Sequence, residues 1–148
     1  MKNVYVKAAL SGALISIVPA IIVTLLSSWF PASESENLAL IKDIFSAQSY
    51  GFFQYFLIFS IVIVSPVLEE LIFRGVMWSF LKKFFNEKTI LILVSFLFAS
   101  VHVDLLHVLG LLPASFLFGW FRYKTDSVYA SIVCHISNNV MACLLTIY

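Results

Sequence analysis

Two adjacent glutamates, Glu69 and Glu70, lie inside an apolar stretch that covers residues 51–81. A stretch of this length can cross a bilayer as a single helix. Carboxylates at membrane depth are costly to bury, so they indicate a functional site or a dedicated partner. Further ionisable residues stand in or beside the later apolar stretches, at His102, Asp104, His107 and His135. The sequence therefore predicts a membrane protein built around a polar site.

The composition independently favours a membrane protein. The chain is 61% hydrophobic and 11% charged, whereas soluble domains carry about 25% charged residues. Its 148 residues are predicted to form a single membrane domain, residues 1–148, surrounded by lipid. A net charge of +1 and the absence of a glycine-rich phosphate loop argue against nucleic acid as a partner.

Five apolar segments predict an all-α, polytopic transmembrane helical bundle of about five spans. They cover residues 8–30, 51–81, 89–103, 105–121 and 127–147. The polar connection at residues 32–49 is expected to contain a helical part, residues 38–45, that lies along the membrane surface.

Basic residues mark alternate ends of these segments. Lysines and arginines cluster within residues 2–7, 82–88 and 122–124, so all three clusters are expected at one end of the bundle. The positive-inside rule then predicts a multi-pass protein of the cell membrane with a cytoplasmic N-terminus and an external C-terminus. An aromatic belt is expected from the tryptophans near predicted span ends, Trp29, Trp78 and Trp120.

Three ionisable residues on different segments fall at a similar depth. Counting about 1.5 Å per residue from the nearest basic cluster, Glu69 lies roughly 20 Å, His102 roughly 21 Å and His135 roughly 16 Å into the bundle. Groups at one depth can converge on one substrate bond, as catalysis requires. We therefore expect these three side chains to approach a common point.

Spacing within each helix suggests separate roles for these residues. Glu70 and Arg74 are four residues apart and share a helix face, so Arg74 is expected to neutralise Glu70. Glu69 points in a different direction and stays free for the site. His135 and Asn139 also share a face and could present two hydrogen-bond donors side by side. Such a pair resembles an oxyanion-binding arrangement in outline.

Other residues in these segments have structural explanations that we favour. His107 and Asn138 are expected to make interhelical hydrogen bonds. Asp104 is expected to cap a helix or to lie in a turn. Pro66 breaks the helical hydrogen-bond pattern just before the glutamate pair and could widen the site. Phe98 is expected in the core.

Several well-known protease classes do not fit the sequence. There is no HExxH or CxxC zinc motif. No nucleophile elbow surrounds Ser65, Ser100 or Ser137, as a serine protease would require. Asp104 is the single aspartate at membrane depth, whereas an aspartyl protease needs two. What remains is a set of one glutamate, two histidines and one asparagine.

Three short motifs carry a resemblance to a known family. EELIFR at residues 69–74, FASVH at 98–102 and HISNN at 135–139 match the patterns EExxxR, FxxxH and HxxxN in order and spacing. In these motifs the chain resembles the CPBP family, which comprises CAAX proteases and bacteriocin-processing enzymes also called Abi proteins. The resemblance covers residues from about 54 to 147, the motif-bearing core.

The resemblance implies an intramembrane endopeptidase that hydrolyses a peptide bond within or near the bilayer. Glu69 and His102 would activate a water that attacks the peptide carbonyl, while His135 and Asn139 would hold the oxyanion. The family is classed among metalloproteases, and Glu69, His102 and His135 are a ligand set that suits zinc. The same chemistry can be drawn without a metal, with Glu69 as general base, and we favour that form.

The expected substrate is a peptide or protein, and its identity is left open by the sequence. Members of the family that trim prenylated CAAX tails have more spans than this chain can hold, so we expect bacteriocin processing or self-immunity instead. A non-catalytic membrane immunity or binding protein that uses the same polar layer is the alternative. A proton or ion pathway is disfavoured because the other spans supply no further acidic relay. The sequence gives no indication of oligomeric state.

Overall fold

The fold was obtained as a computed structural model that describes residues 2–26, 43, 51–102 and 105–147. This part of the chain folds into helices without a strand, so the all-α prediction is confirmed. The helices are α1 (Lys2–Ile15), α2 (Ile17–Leu26), α3 (Phe52–Leu81), α4 (Glu87–Ser100), α5 (Leu105–Thr125) and α6 (Val128–Ile147). The predicted connection at residues 32–49, apart from residue 43, lies outside the described residues, as do Trp29 and the predicted cap at Asp104.

Four helical stretches of the described chain are long and apolar enough to cross a membrane. They are Asn3–Leu26, which joins α1 and α2, then Phe52–Leu81, Leu105–Thr125 and Val128–Thr146. The protein is therefore a multi-pass membrane protein, as predicted. The third apolar segment forms α4, whose 14 residues span only about 21 Å against a bilayer core of about 30 Å. This helix ends two residues before His102.

Helix α3 alternates between two helical forms. It is α-helical over Phe52–Phe59, Ser65–Glu70 and Trp78–Leu81, and π-helical over Ser60–Val64 and Leu71–Met77. Pro66 explains the first π segment, because a proline ring collides with the carbonyl four residues earlier and lacks an N–H group. The glutamate pair thus lies on one α-helical turn between two wider turns. Segments of this kind often occur at functional sites.

Helix α1 packs closely against α6. Its contact face includes two small buried residues spaced four apart, Ala8 and Gly12. A methyl group added at Gly12 would come within 2.0 Å of the backbone oxygen of Cys134. Small residues allow membrane helices to approach to this distance. Because Cys134 precedes His135, α1 supports the back of the turn that carries this histidine.

An ion-pair cluster joins three parts of the chain at one end of the bundle. Lys82, after α3, contacts Glu87 Oε1 at 2.7 Å and Asp126 Oδ1 at 3.0 Å. Arg122, in the last turn of α5, contacts Asp126 Oδ1 at 2.6 Å. Hydrogen bonds from Arg122 and Lys82 lower the pKa of Asp126 below its ordinary value. The start of α4 and the α5–α6 turn therefore meet at the end of α3.

The three basic clusters lie at the same end of the bundle. Lys82 and Arg122 share a partner in Asp126, and Lys7 lines a cavity together with Lys124. This arrangement is the one that the positive-inside argument requires. The side of the membrane that this end faces stays a prediction.

The predicted aromatic belt is wrong for one of its tryptophans. Trp78 is fully buried and packs with Ile90, Leu91 and Val94 of α4. Trp120 is 41% exposed, as a belt residue would be. Each π turn holds more residues than an α turn, so the second π segment changes the direction in which Trp78 points.

Candidate active site

A buried ion pair lies beneath the site. Arg74 Nη1 lies 3.0 Å from Glu70 Oε1, and both side chains are completely inaccessible. This is the pairing that their spacing predicted. Arg74 Nη2 also donates to the backbone oxygen and to Oγ of Ser115 on α5, each at 2.8 Å. The guanidinium therefore ties α3 to α5 beneath the site.

Two phenylalanines enclose this pair. The Arg74 guanidinium lies 4.5 Å from the ring centre of Phe98 and 5.8 Å from that of Phe118. A cation over an aromatic face is attracted by the negative face of the ring, and more strongly where water is excluded. Phe98 is buried as predicted. It also contacts both candidate histidines, so it is part of the site wall.

His135 connects the two glutamates. Its Nδ1 lies 2.9 Å from Glu70 Oε1, and its Nε2 lies 3.8 Å from Glu69 Oε2. Its ring stacks on Phe118 at 4.4 Å between centres and meets Phe98 edge-on at 5.6 Å. A carboxylate can only accept, so the short contact assigns a proton to Nδ1. Nε2 is then the atom that His135 presents to the site.

Glu69 differs from its neighbour in accessibility. Its side chain is 32% exposed, whereas that of Glu70 is sealed. Ser65, one helical turn earlier, donates its hydroxyl to Glu69 Oε1 at 2.5 Å. Oε2 remains directed towards Nε2 of His135. The 3.8 Å separation is too long for a direct hydrogen bond.

Asn139 lies one turn after His135, and its amide contacts the backbone of α3. Its Nδ2 donates to the carbonyl oxygen of Ile61 at 3.3 Å. Its Oδ1 accepts from Nδ2 of Asn138 at 3.1 Å, which fixes the orientation of the amide. One N–H of Nδ2 is therefore committed to α3. Asn138 donates to its neighbour on the same helix, and it forms no hydrogen bond to another helix of the described part of the chain, so the predicted interhelical bond of Asn138 is wrong.

His102 lies apart from the other candidates. It is exposed in the turn after α4, and its Nδ1 is 3.2 Å from the carbonyl oxygen of Phe98. Its ring centre is 5.5 Å from that of Phe98, on which His135 also packs. The structure thus brings Glu69 and His135 together and places His102 beside the same phenylalanine. Convergence of all three on one point stays a prediction.

The zinc ligand set is not assembled in the described part of the chain. No three side chains of the histidine, cysteine, aspartate or glutamate type come together there. Glu69 and His135 face each other, but His102 makes no ion pair with either of them among the described contacts. As these side chains are arranged, they do not fit a three-ligand zinc site.

Three residues of the site were not predicted from the sequence. Ser65 was considered only as a nucleophile, although its spacing of four from Glu69 indicates a shared helix face. Ser115 and Phe118 contact the site from α5. No motif marks these two, because their role depends on how α5 is rotated against α3 and α6.

The sequence of the chain is similar to those of known membrane peptidases. The family model of the Rce1-like type II CAAX prenyl endopeptidases matches residues 51–141. The chain is also 30% identical over 112 residues to a Bacillus subtilis (strain 168) protein named "Putative membrane peptidase YdiL". That alignment covers 76% of this chain and 43% of the relative, so the chain matches less than half of the relative's length. No solved structure matches the chain.

The matched region contains all three motifs, including both glutamates, His102, His135 and Asn139. It begins at the start of α3 and ends within α6. The resemblance seen in the motifs is thus confirmed over more than half of the chain, which belongs to the Rce1-like family of type II CAAX prenyl endopeptidases.

Proposed function

We propose that the protein is an intramembrane endopeptidase in which Glu69 is the general base. One observation carries the proposal: Glu69 Oε2 and His135 Nε2 face each other at 3.8 Å, while a buried Glu70–Arg74 pair holds the other side of the imidazole. A water can contact both atoms at about 2.8 Å, a normal hydrogen-bond distance. The arrangement therefore supports activation of a water.

Glu69 performs the proton transfers. It takes a proton from the water as the water oxygen bonds to the carbonyl carbon of the substrate. It then gives this proton to the amine nitrogen as the carbon–nitrogen bond breaks. The hydrogen bond from Ser65 occupies Oε1, so Oε2 is the atom that carries the proton. Partial exposure of Glu69 leaves room for the substrate.

His135 stabilises the oxyanion in this proposal. Its Nδ1 proton is bound to Glu70, so it can donate to the oxyanion only through a protonated Nε2. Nε2 of His135 faces Glu69 Oε2, beside the position that we assign to the oxygen on which the new negative charge develops. The remaining N–H of Asn139 supplies a second donor.

His102 acts from the other side of Phe98. His102 and His135 both contact the ring of Phe98, which supports a position for His102 close to the same site. The resemblance of FASVH to the second family motif implies that His102 acts on the water. We therefore assign His102 to water activation beside Glu69.

The substrate is a peptide or protein segment in or near the bilayer. The family is named for cleavage of CAAX prenyl substrates, and the Bacillus subtilis relative is named "Putative membrane peptidase YdiL". Within this family we favour peptide processing linked to bacteriocin production or self-immunity. A prenylated CAAX peptide serves as the comparison substrate in the test.

The test compares membranes that contain the wild-type protein, Glu69→Gln or the exposed-site control Glu87→Gln. Peptides released from each preparation are identified by mass spectrometry, with and without an added farnesylated CAAX peptide. We expect peptides that accumulate with the wild type and with Glu87→Gln but are absent with Glu69→Gln. Cleavage of the added peptide would assign the prenyl substrate class and would overturn the preference for bacteriocin peptides.

Equal peptide profiles for the wild type and Glu69→Gln would contradict the proposal. If Glu69→Gln also kept full protection against a bacteriocin, the protein would be a binding or immunity protein without catalysis. Each variant replaces one carboxylate oxygen by an amide nitrogen. The abundance of each variant is measured in the same membranes, which excludes loss of the protein as the cause of a missing peptide.

A further inference from the structure

The carbonyl of Ile61 lies in a gap of the hydrogen-bond pattern of α3. In an α-helix it would accept from residue 65, and in a π-helix from residue 66. The N–H of Ser65 donates instead to the carbonyl of Ser60, five residues earlier. Residue 66 is a proline and has no N–H to donate. Both regular backbone donors are therefore absent for Ile61.

Asn139 fills this gap from another helix. Its Nδ2 donates to the Ile61 carbonyl at 3.3 Å, and Pro66 beside the gap is fully buried. Asn138 holds the Asn139 amide with its nitrogen towards α3. An unpaired carbonyl in this interior would be costly, since lipid offers no replacement donor.

We propose that Asn139 is a positioning residue that replaces the hydrogen bond lost at Pro66 and thereby fixes the direction of Glu69. The π segment at Ser60–Val64 ends at Ser65, and the hydroxyl of Ser65 holds Glu69 Oε1. Fixing the Ile61 carbonyl therefore fixes the turn from which Ser65 reaches Glu69. Asn139 acts on the base through α3, in addition to its proposed second N–H at the oxyanion.

The same contact sets the distance between α3 and α6. Among the described residues, two side-chain hydrogen bonds join those helices, one from Asn139 to Ile61 and one from His135 to Glu70. His135 and Asn139 share one face of α6 because they are four residues apart. With both contacts in place, the face of α6 that carries Nε2 of His135 is held against the turn that carries Glu69.

The hydrogen-bond replacement can be tested without any substrate. Pro66→Ala restores a backbone N–H at the gap, so it should make the Asn139 contact less important. We expect Asn139→Leu to lower the melting temperature of the purified protein in detergent, and to lower it by less than half as much in a Pro66→Ala background. Pro113→Ala is the matched control, because Pro113 lies inside a different helix, α5. In the Pro113→Ala background, Asn139→Leu should lower the melting temperature as much as it does in the wild type.

Equal losses from Asn139→Leu in all three backgrounds would overturn the proposal. If Asn139→Leu does not accumulate, Asn139→Ser is measured in the same three backgrounds with the same criterion. These melting measurements do not depend on peptidase activity, so they remain decisive if the proposed function fails.

The positioning role rests on the proposed function and is tested by turnover. With a cleaved peptide as probe, Asn139→Leu should lower kcat by on the order of tenfold or more, since small misplacements of catalytic groups are that costly. In the Pro66→Ala background the same substitution should lower kcat less, with KM unchanged. Coupling in melting temperature without coupling in kcat would show that the contact stabilises the fold without positioning Glu69, and would overturn this part.

Discussion

Substitution of Glu70 by glutamine should destabilise the protein much more than the same change at Glu69. Glu70 and Arg74 are both completely buried, so Glu70→Gln leaves the guanidinium without its counter-charge. Breaking a buried ion pair costs about 3–5 kcal/mol. Arg74 keeps its two bonds to Ser115 and its contact with Phe98, which places the expected cost near the lower end, about 3 kcal/mol.

Glu69→Gln is the matched control for this loss. Its side chain is 32% exposed, and the amide oxygen of glutamine can still accept from Ser65. We therefore expect a change in stability of less than about 1 kcal/mol, as for exposed charge pairs. Its effect should fall on turnover, with a loss of about 10² or more from removal of the general base.

Both variants are compared with the wild type by melting temperature in detergent and by turnover of one cleaved peptide. For a soluble domain of this length, about 3 kcal/mol corresponds to a shift of roughly 6–12 °C, which sets the scale for Glu70→Gln. If Glu69→Gln is the unstable variant and Glu70→Gln is folded but inactive, the roles of base and structural partner are reversed. A wild-type melting temperature for Glu70→Gln would refute the buried-pair argument.

Three further predictions concern packing, pH and topology. Gly12→Ala should destabilise the protein by about 1–3 kcal/mol because its methyl group would meet the backbone of Cys134. Gly75→Ala is the control: its added methyl group would have its nearest contact at 3.9 Å, so this variant should melt at or above the wild-type temperature. The pKa of Asp126 is lowered in the folded state. The ion pairs of Asp126 therefore stabilise the fold above pH 3.8, the ordinary pKa of this group, and this stabilisation is lost as the pH falls through the folded pKa. The melting temperature of the wild type should therefore fall more steeply below pH 4 than that of Asp126→Asn, and parallel curves would contradict this; the effect is small because the side chain is 74% exposed. A reporter fused after Tyr148 should be found outside the cytoplasm, and a cytoplasmic reporter would reverse the predicted topology.

Local spacing predicted part of the site correctly. Residues four apart on a helix share a face, and this rule was enough to pair Glu70 with Arg74 and to separate Glu69 from both. The apolar segments likewise predicted the all-helical, multi-pass fold. Contacts of this kind depend on one helix only, so the sequence of that helix contains the information.

Contacts between helices could not be predicted from the spacing of residues within one helix. The choice of Glu70 as the partner of Nδ1 of His135 depends on the rotation of α6 against α3. Two π segments change the direction of side chains along α3, and the burial of Trp78 shows the consequence. The predicted third segment, residues 89–103, ends three residues beyond Ser100, because the apolar residues there continue the hydrophobic pattern after the helix has ended.

The most direct test of the central claim is the incorporation of solvent oxygen into the product of cleavage. A peptide identified as a substrate is incubated in ¹⁸O-labelled water with purified wild type or Glu69→Gln, and the new C-terminal carboxylate is analysed by mass spectrometry. Hydrolysis by a water that Glu69 activates predicts one labelled oxygen in the wild-type product and no product above background with folded Glu69→Gln. Labelled product formed by Glu69→Gln at the wild-type rate would contradict the assignment of Glu69 as the general base.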